Sequence, residues 1–206
     1  MDEPRKLYLV AMLDNLSEYH IILASNSPRR KQLLSTLGLS FEQRSLSGVD
    51  ESFPPQLQGG DIAEYIACQK ALAYLPQLSD KDLLITADTI VYCEGKVFGK
   101  PKDRAQAVAM LDSLAGKDHH VYTGVCLATR QWQRHFFADT RVTFAPLSRE
   151  EIAYYVDNYR PYDKAGAYGI QEWIGLVAVE NMQGSYFNVM GLPVQRIYQE
   201  LKKIKQ

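Results

Sequence analysis

Ile21-Ile22-Leu23-Ala24-Ser25-Asn26-Ser27-Pro28-Arg29-Arg30 decides the fold, because an apolar run passes through a tight turn straight into the helical pattern of Lys31 to Leu37. Four consecutive apolar residues predict a buried strand. Ser27 then fits the N-cap, where its hydroxyl accepts from a free N–H of the first turn. Pro28 fits the first helical position, where a missing N–H costs nothing. The two arginines fall in that first turn, although the positive end of a helix dipole favours acids there. Two readings stand side by side: an ordinary capped helix with solvated arginines, or an anion site in which arginines and backbone N–H groups share a phosphate.

The surrounding sequence limits what such a site serves. At 206 residues the chain is long enough for one sizeable α/β domain, or two small lobes sharing a cleft. Cys68, Cys93 and Cys126 lie far apart with no C-x-x-C pair, which argues against a zinc ribbon or a disulfide framework and fits a reducing cytoplasm. A formal net charge of −1 removes the global basic field of a dedicated DNA-binding protein, so any anion site is local. No apolar stretch approaches the roughly 20 residues of a membrane span, and Met1 to His20 lacks the core of a signal peptide. Residues 1–20 therefore read as an N-terminal extension with a short amphipathic helix on Leu9, Val10, Leu13 and Leu16. Residues 21–206 read as a single domain.

Outward from the hexapeptide, Phe41 to Ser45 predicts a second strand. Asp61 with Glu64 three residues later predicts a capping box opening a long helix that ends near Pro76. Leu83-Leu84-Ile85-Thr86-Ala87 has the length and continuity of a buried central strand, broken at Asp88-Thr89. Ile90 to Tyr92 and Lys96 to Phe98, joined by Glu94-Gly95, predict a small hairpin. Asp103 starts a helix that Gly116 stops. His120 to Thr129 and Gln133 to Ala145 predict a longer antiparallel pair. Ser148 with Glu151 opens a helix to about Tyr155, Ile174 to Val179 predicts a strand, and Pro193 opens the last helix.

Polar groups stand at several of these element ends: Arg29-Arg30, Asp50-Glu51, Asp88-Thr89 and Gly99-Lys100-Pro101. Carboxylates beside lysines and arginines are what a magnesium-dependent phosphoryl or nucleotidyl reaction requires. Taken alone, Asp88 is either a cap for nearby backbone or a desolvated acid able to accept a proton from water. Asp50 and Glu51 read as solvated acids, and Lys70 reads as a surface lysine. The chain has no G-x-x-x-x-G-K-[ST] and no G-x-G-x-x-G, which removes the P-loop and Rossmann readings. The four histidines lack metal-ligand spacing and read as structural or exposed.

In order, Ser25-Asn26-Ser27-Pro28-Arg29-Arg30, Ala87-Asp88-Thr89, Gly99-Lys100-Pro101, Asp163 to Gln171, and Gly191-Leu192-Pro193 closely resemble the Maf family of nucleoside triphosphate pyrophosphatases. The resemblance runs from about Ile21 to the C-terminal helix. It implies a mixed sheet flanked by helices, related to inosine triphosphate pyrophosphatases, with two lobes and a central cleft. The segment Asp163 to Gln171 resembles the branch acting on dTTP and UTP rather than on 7-methyl-GTP. Carried over by position, Asp88 resembles the proton acceptor, and Arg29, Thr89 and Gln171 match positions linked to substrate choice. Arg29, Lys70 and Lys100 match phosphate-facing cations, with Ser27 and Arg30 completing the turn that meets the substrate.

Asp50 falls at the family's acidic position with Glu51 beside it. One of them, with Asp88, is expected to hold Mg²⁺ or Mn²⁺. The implied reaction is attack of metal-polarised water on the α-phosphorus, giving a nucleoside monophosphate and pyrophosphate, in a cytoplasmic protein for which a homodimer is compatible. The competing reading is a nucleotide-binding or nucleic-acid-binding regulator of septum formation. Acids at Asp50, Glu51 and Asp88 speak for catalysis, because a pure phosphate binder gains nothing from carboxylates beside its anion.

Overall fold

Seven strands form one mixed sheet in the computed structural model, which describes residues 13–45 and 48–204. The decisive apolar run is β1 (His20–Ala24), parallel to both β2 (Glu42–Arg44) and β3 (Asp82–Cys93). β3 is antiparallel to β4 (Lys96–Phe98) and to β5 (Asp118–Ala128). The ladder continues antiparallel through β6 (Gln133–Phe144) to β7 (Val179–Gln183). The order is β2-β1-β3-β5-β6-β7, with β4 attached to β3. Around the sheet lie α1 (Pro28–Ser35), α2 (Gly60–Tyr74), α3 (Arg104–Leu114), α4 (Arg149–Tyr159), α5 (Trp173–Val177), α6 (Tyr186–Met190) and α7 (Val194–Lys202).

Three helix starts follow from their caps. Ser27 accepts from the Arg30 N–H, Asp103 accepts from the Gln106 N–H at 2.8 Å, and Ser148 with Glu151 closes a reciprocal capping box. α2 differs from expectation. Its N-cap is Gly59 at φ +52° with no side-chain cap, while Asp61 lies inside the first turn and Glu64 instead meets His135 at 2.6 Å. Close packing explains the glycines here. A Cβ on Gly60 would stand 2.3 Å from the Phe137 ring, and one on Gly124 of β5 would stand 2.2 Å from the Ala63 carbonyl. The backbone of α2 therefore rests directly on the sheet, and Thr86 Oγ1 of β3 donates to Ala67 O at 2.7 Å.

Two further differences concern strands. Ile174 to Val179 supplies α5, and the strand begins only at Val179. β3 does not break at Asp88-Thr89 but runs to Cys93, because its ladder with β5 is uninterrupted from Leu84 to Tyr92. Pro193 is the residue before α7 rather than its first turn. In the N-terminal segment, Leu9 and Val10 lie outside the described residues. Asp14–Leu16 is a single 3-10 turn, with Leu13 and Leu16 in the core and Asn15 donating to Leu201 O and Ile204 O, each at 2.9 Å.

Alternation along β3 divides the core. Leu83, Ile85 and Ala87 pack with α1 and α7, whereas Val91 and Cys93 on the same face pack with α3 and α4. On the other face α2 covers Leu84 near its C-terminal end and Ile90 near its N-terminal end. Between the two apolar groups stand Asp88 and Thr89. Along one edge β3 pairs with β1 as far as Ile85 and with β4 from Val91, so residues 86–90 have no strand on that side among the described residues. That gap separates two lobes and opens the cleft.

Candidate active site

The gap leaves the Ala87 carbonyl without a strand partner, and Arg30 supplies one. Its Nη1 donates to Ala87 O at 2.8 Å, Nη2 to Thr89 Oγ1 at 3.0 Å, and Nε to Gly191 O at 2.8 Å. Burial lowers the guanidinium pKa from its ordinary value, opposed by the charge of Asp88. Thr123 Oγ1 donates to Asn188 O at 3.0 Å and so has no second proton to give. The 2.9 Å contact between Thr89 and Thr123 is therefore a donation from Thr89. The chain Arg30, Thr89, Thr123, Asn188 runs in one direction and fixes the backbone next to Asp88. Arg30 thus braces the strand.

The opposite face carries the acids. Lys70, buried on α2, places Nζ 2.6 Å from Asp88 Oδ1 and 2.8 Å from Glu51 Oε1. Close packing of α2 on Gly124 explains why this lysine is buried rather than at the surface, where its sequence context placed it. Burial alone would raise the Glu51 pKa. Its bond to Lys70 and the charges of Lys70, Lys100 and Arg30 hold it below the ordinary carboxylate value. Asp50 is placed elsewhere. Its two oxygens accept from Ser52 N at 2.9 Å and Ser52 Oγ at 2.8 Å in an Asx turn outside the cleft.

Segment 163–172 forms the facing wall. Arg29 Nη1 lies 2.7 Å from Asp163 Oδ2, and Lys164 Nζ lies 2.7 Å from Asp163 Oδ1. Burial works against the charged form of Asp163, yet Lys164 and Arg29 outweigh it and bring its pKa down to about 2. Gly166 N donates to Gly99 O at 3.0 Å, which pins the Gly99-Lys100-Pro101 corner to this wall. The space enclosed is about 400 Å³, and every site residue singled out from the sequence lines it except Asp50. Asp163, Lys164 and Gly191 also line it. They belong to quoted motifs, and a charged pair just ahead of two glycines was the signal available.

No three histidine, cysteine, aspartate or glutamate side chains gather into a metal cluster among the described residues. Two carboxylates do converge, on one ammonium. Paired hard oxygen donors suit Mg²⁺ or Mn²⁺, since Mg²⁺ usually takes one or two carboxylates and fills its remaining positions with water and substrate phosphate oxygens.

Fold and cleft together define an α/β protein with a buried, lysine-held carboxylate facing a cation-lined opening. The chain belongs to the Maf family, whose Maf-like protein model matches residues 20–204. It is 58% identical over 193 residues to the dTTP/UTP pyrophosphatase of Bacteroides fragilis, covering 94% of this chain and 100% of the relative. Identity is 55% over 191 residues to the dTTP/UTP pyrophosphatase of Parabacteroides distasonis, covering 93% and 99%. It is 45% over 194 residues to that of Christiangramia forsetii, covering 94% and 98%. A solved nucleoside-triphosphatase / dITP/XTP pyrophosphatase from Mycobacterium abscessus aligns at 13% identity and TM-score 0.40 over 88% of this chain and 93% of that one, too distant to carry an argument.

Proposed function

We infer that the protein is a nucleoside triphosphate pyrophosphatase that converts dTTP and UTP to the monophosphate and pyrophosphate, in keeping with the names of its relatives. The observation that carries the mechanism is the Lys70 clamp on Asp88 and Glu51 inside a cleft lined by Arg29 and Lys100. Asp88 Oδ1 is taken by Lys70, while Oδ2 accepts no hydrogen bond from any described residue. Asp88 is the general base: this free oxygen takes the proton of the water that attacks the α-phosphorus. Pyrophosphate leaves with the electron pair of the broken P–O bond.

Arg29, Lys70 and Lys100 bind the phosphate oxygens and offset their charge. Glu51, rather than Asp50, would hold Mg²⁺ or Mn²⁺ together with water and the substrate phosphates, where the ion would supply further charge neutralisation, leaving Asp88 Oδ2 to accept the proton. Gln171 offers one acceptor and one donor, matching the N3–H and carbonyl edge of uracil or thymine. No helix among the described residues is long and apolar enough to cross a membrane. A cytoplasmic homodimer acting on free nucleotides is the setting this reading adopts.

The test is product identification from a panel of nucleoside triphosphates with Mg²⁺ or Mn²⁺. Monophosphate plus pyrophosphate from dTTP and UTP is expected. Orthophosphate release, or full activity in Asp88→Asn, overturns the assignment.

A further inference from the structure

Glu172, next to Gln171 in sequence, is held through both of its carboxylate oxygens. Gln171 sits in a turn closed by Glu172 N donating to Gly169 O at 2.9 Å, and its amide makes no hydrogen bond to a described residue. Beneath that turn, one hydroxyl serves two of its residues. Tyr155 Oη accepts from Gly169 N at 3.0 Å and donates to Glu172 Oε2, while Lys164 Nζ lies 3.1 Å from Glu172 Oε1. Tyr155 is fully buried on α4 among the apolar residues of that core, with its ring stacked on Tyr159. A phenylalanine would pack there equally well, so the hydroxyl is present for its two bonds.

The consequence lies in the orientation of the Gln171 amide. Rotated by half a turn, an amide exchanges its donor and acceptor and would suit cytosine, which offers an acceptor at N3 and a donor at N4, as well as it suits uracil. Discrimination therefore requires one orientation to be held. The point where a Gly169 Cβ would stand is 2.9 Å from both Gln171 Nε2 and Glu172 Cδ and 3.0 Å from Lys164 Cε, so the amide nitrogen, the carboxylate and the lysine stem flank the same small volume. A carboxylate there attracts the NH₂ end and repels the carbonyl end.

We propose that Glu172 is a positioning residue that fixes the Gln171 amide in the orientation accepting uracil and thymine and refusing cytosine, with Tyr155 and Lys164 holding its carboxylate in place. This rests on Gln171 contacting the base. Glu172 touches no reacting atom, so its loss acts on selectivity far more than on turnover.

The experiment measures kcat/KM for UTP and for CTP, which differ only in the base, in the full chain and in Glu172→Gln, Tyr155→Phe and Gln171→Ala. Glu172→Gln removes the charge and keeps the shape; Tyr155→Phe removes only the hydroxyl. The CTP-to-UTP ratio is expected to rise in both, by up to about tenfold, because the charge that orients the amide is lost in one variant and loosened in the other, with kcat for UTP changing far less than the ratio. A purely structural role would depress both nucleotides alike. An unchanged ratio in the two variants, alongside a raised one in Gln171→Ala, overturns the positioning role alone. An unchanged ratio in Gln171→Ala overturns the base-contact reading and the proposal with it. Should one variant fail to fold by its melting curve, the other decides.

Discussion

The two sides of the cleft are built differently. Asp88 sits in the middle of a twelve-residue strand with an unbroken ladder on one side, and Lys70 reaches it from a helix whose backbone touches that sheet. Gln171 sits on a turn held by side chains: Tyr155, Glu172 and Lys164 below it, and Arg29 with Asp163 at its phosphate end. Backbone packing gives a stiff acid centre, which suits a proton transfer sensitive to tenths of an ångström. Hydrogen-bonded side chains give a wall whose shape depends on charge, which suits reading a base edge. Damage on the first side is expected to show in rate, and on the second in affinity, selectivity and pH response.

The largest effect belongs to the acid centre. Asp88→Asn is expected to lower kcat by about 10²–10⁴-fold through loss of the base, with the fold retained, as steady-state assays with dTTP will read. Comparable turnover in Asp88→Asn and Gln171→Ala would break the contrast. Next comes the contact that brings Lys70 down. Gly124→Ala forces a methyl group into the Ala63 backbone, and overpacking of this kind costs about 1–3 kcal/mol. At this chain length that is a fall in Tm of roughly 2–4 °C per kcal/mol, accompanied by lost turnover as α2 moves Lys70 from Asp88.

What the sequence disclosed follows the same division. Helix starts at Ser27, Asp103 and Ser148 were legible because a cap and its N–H partner lie within three residues. The motif residues were legible as a set. What was hidden depends on partners distant in the chain. β3 appeared to end at Asp88 because polar residues interrupt its apolar run, and only the pairing with β5 shows that one open edge calls for them. Lys70 read as exposed because nothing near it reports that Gly124 lets the helix settle. Asp50 and Glu51 were indistinguishable until the Ser52 turn claimed Asp50. The sequence marks Tyr155 only as the end of a helix; the partner of its hydroxyl, Glu172, lies seventeen residues away and was not readable.

A buried histidine behind the wall makes the fold sensitive to acid. His119 is fully buried against Tyr168, which lies in the wall segment, with Nε2 and the phenol oxygen 2.9 Å apart. Burial is the main reason its pKa falls from 6.5 to about 4. With the folded pKa below the unfolded one, the unfolded chain binds the extra proton as pH drops below about 6.5. Stability is then lost progressively down to about pH 4, by an amount on the order of 3 kcal/mol. His135 on the Glu64 pair shifts the other way, so its contribution is present below its unfolded pKa and lost as pH rises through the folded value. Denaturant midpoints from pH 7 to 4 are expected to fall more steeply in the unaltered protein than in His119→Phe. Equal slopes would remove His119 from the account.

The smallest effect sharpens the comparison at its phosphate end. Asp163 already engages Arg29, its carboxylate accepting from Nη1 at 2.7 Å and its backbone carbonyl from Nη2 at 3.4 Å, so an incoming triphosphate must displace one carboxylate before it gains Nη1. An exposed ion pair is worth at most about 1 kcal/mol, so removing this competitor is worth up to about fivefold in affinity. Asp163→Asn keeps the shape and deletes the charge. KM for dTTP is expected to fall about two- to fivefold at low salt with kcat little changed, and the gain should shrink as ionic strength rises and screens the competition. A rise in KM instead would mean that Asp163 presents Arg29 to the phosphates rather than competing for it. The wall would then be organised as rigidly as the acid centre, and the division between the two sides of the cleft would lie only in what each one reads.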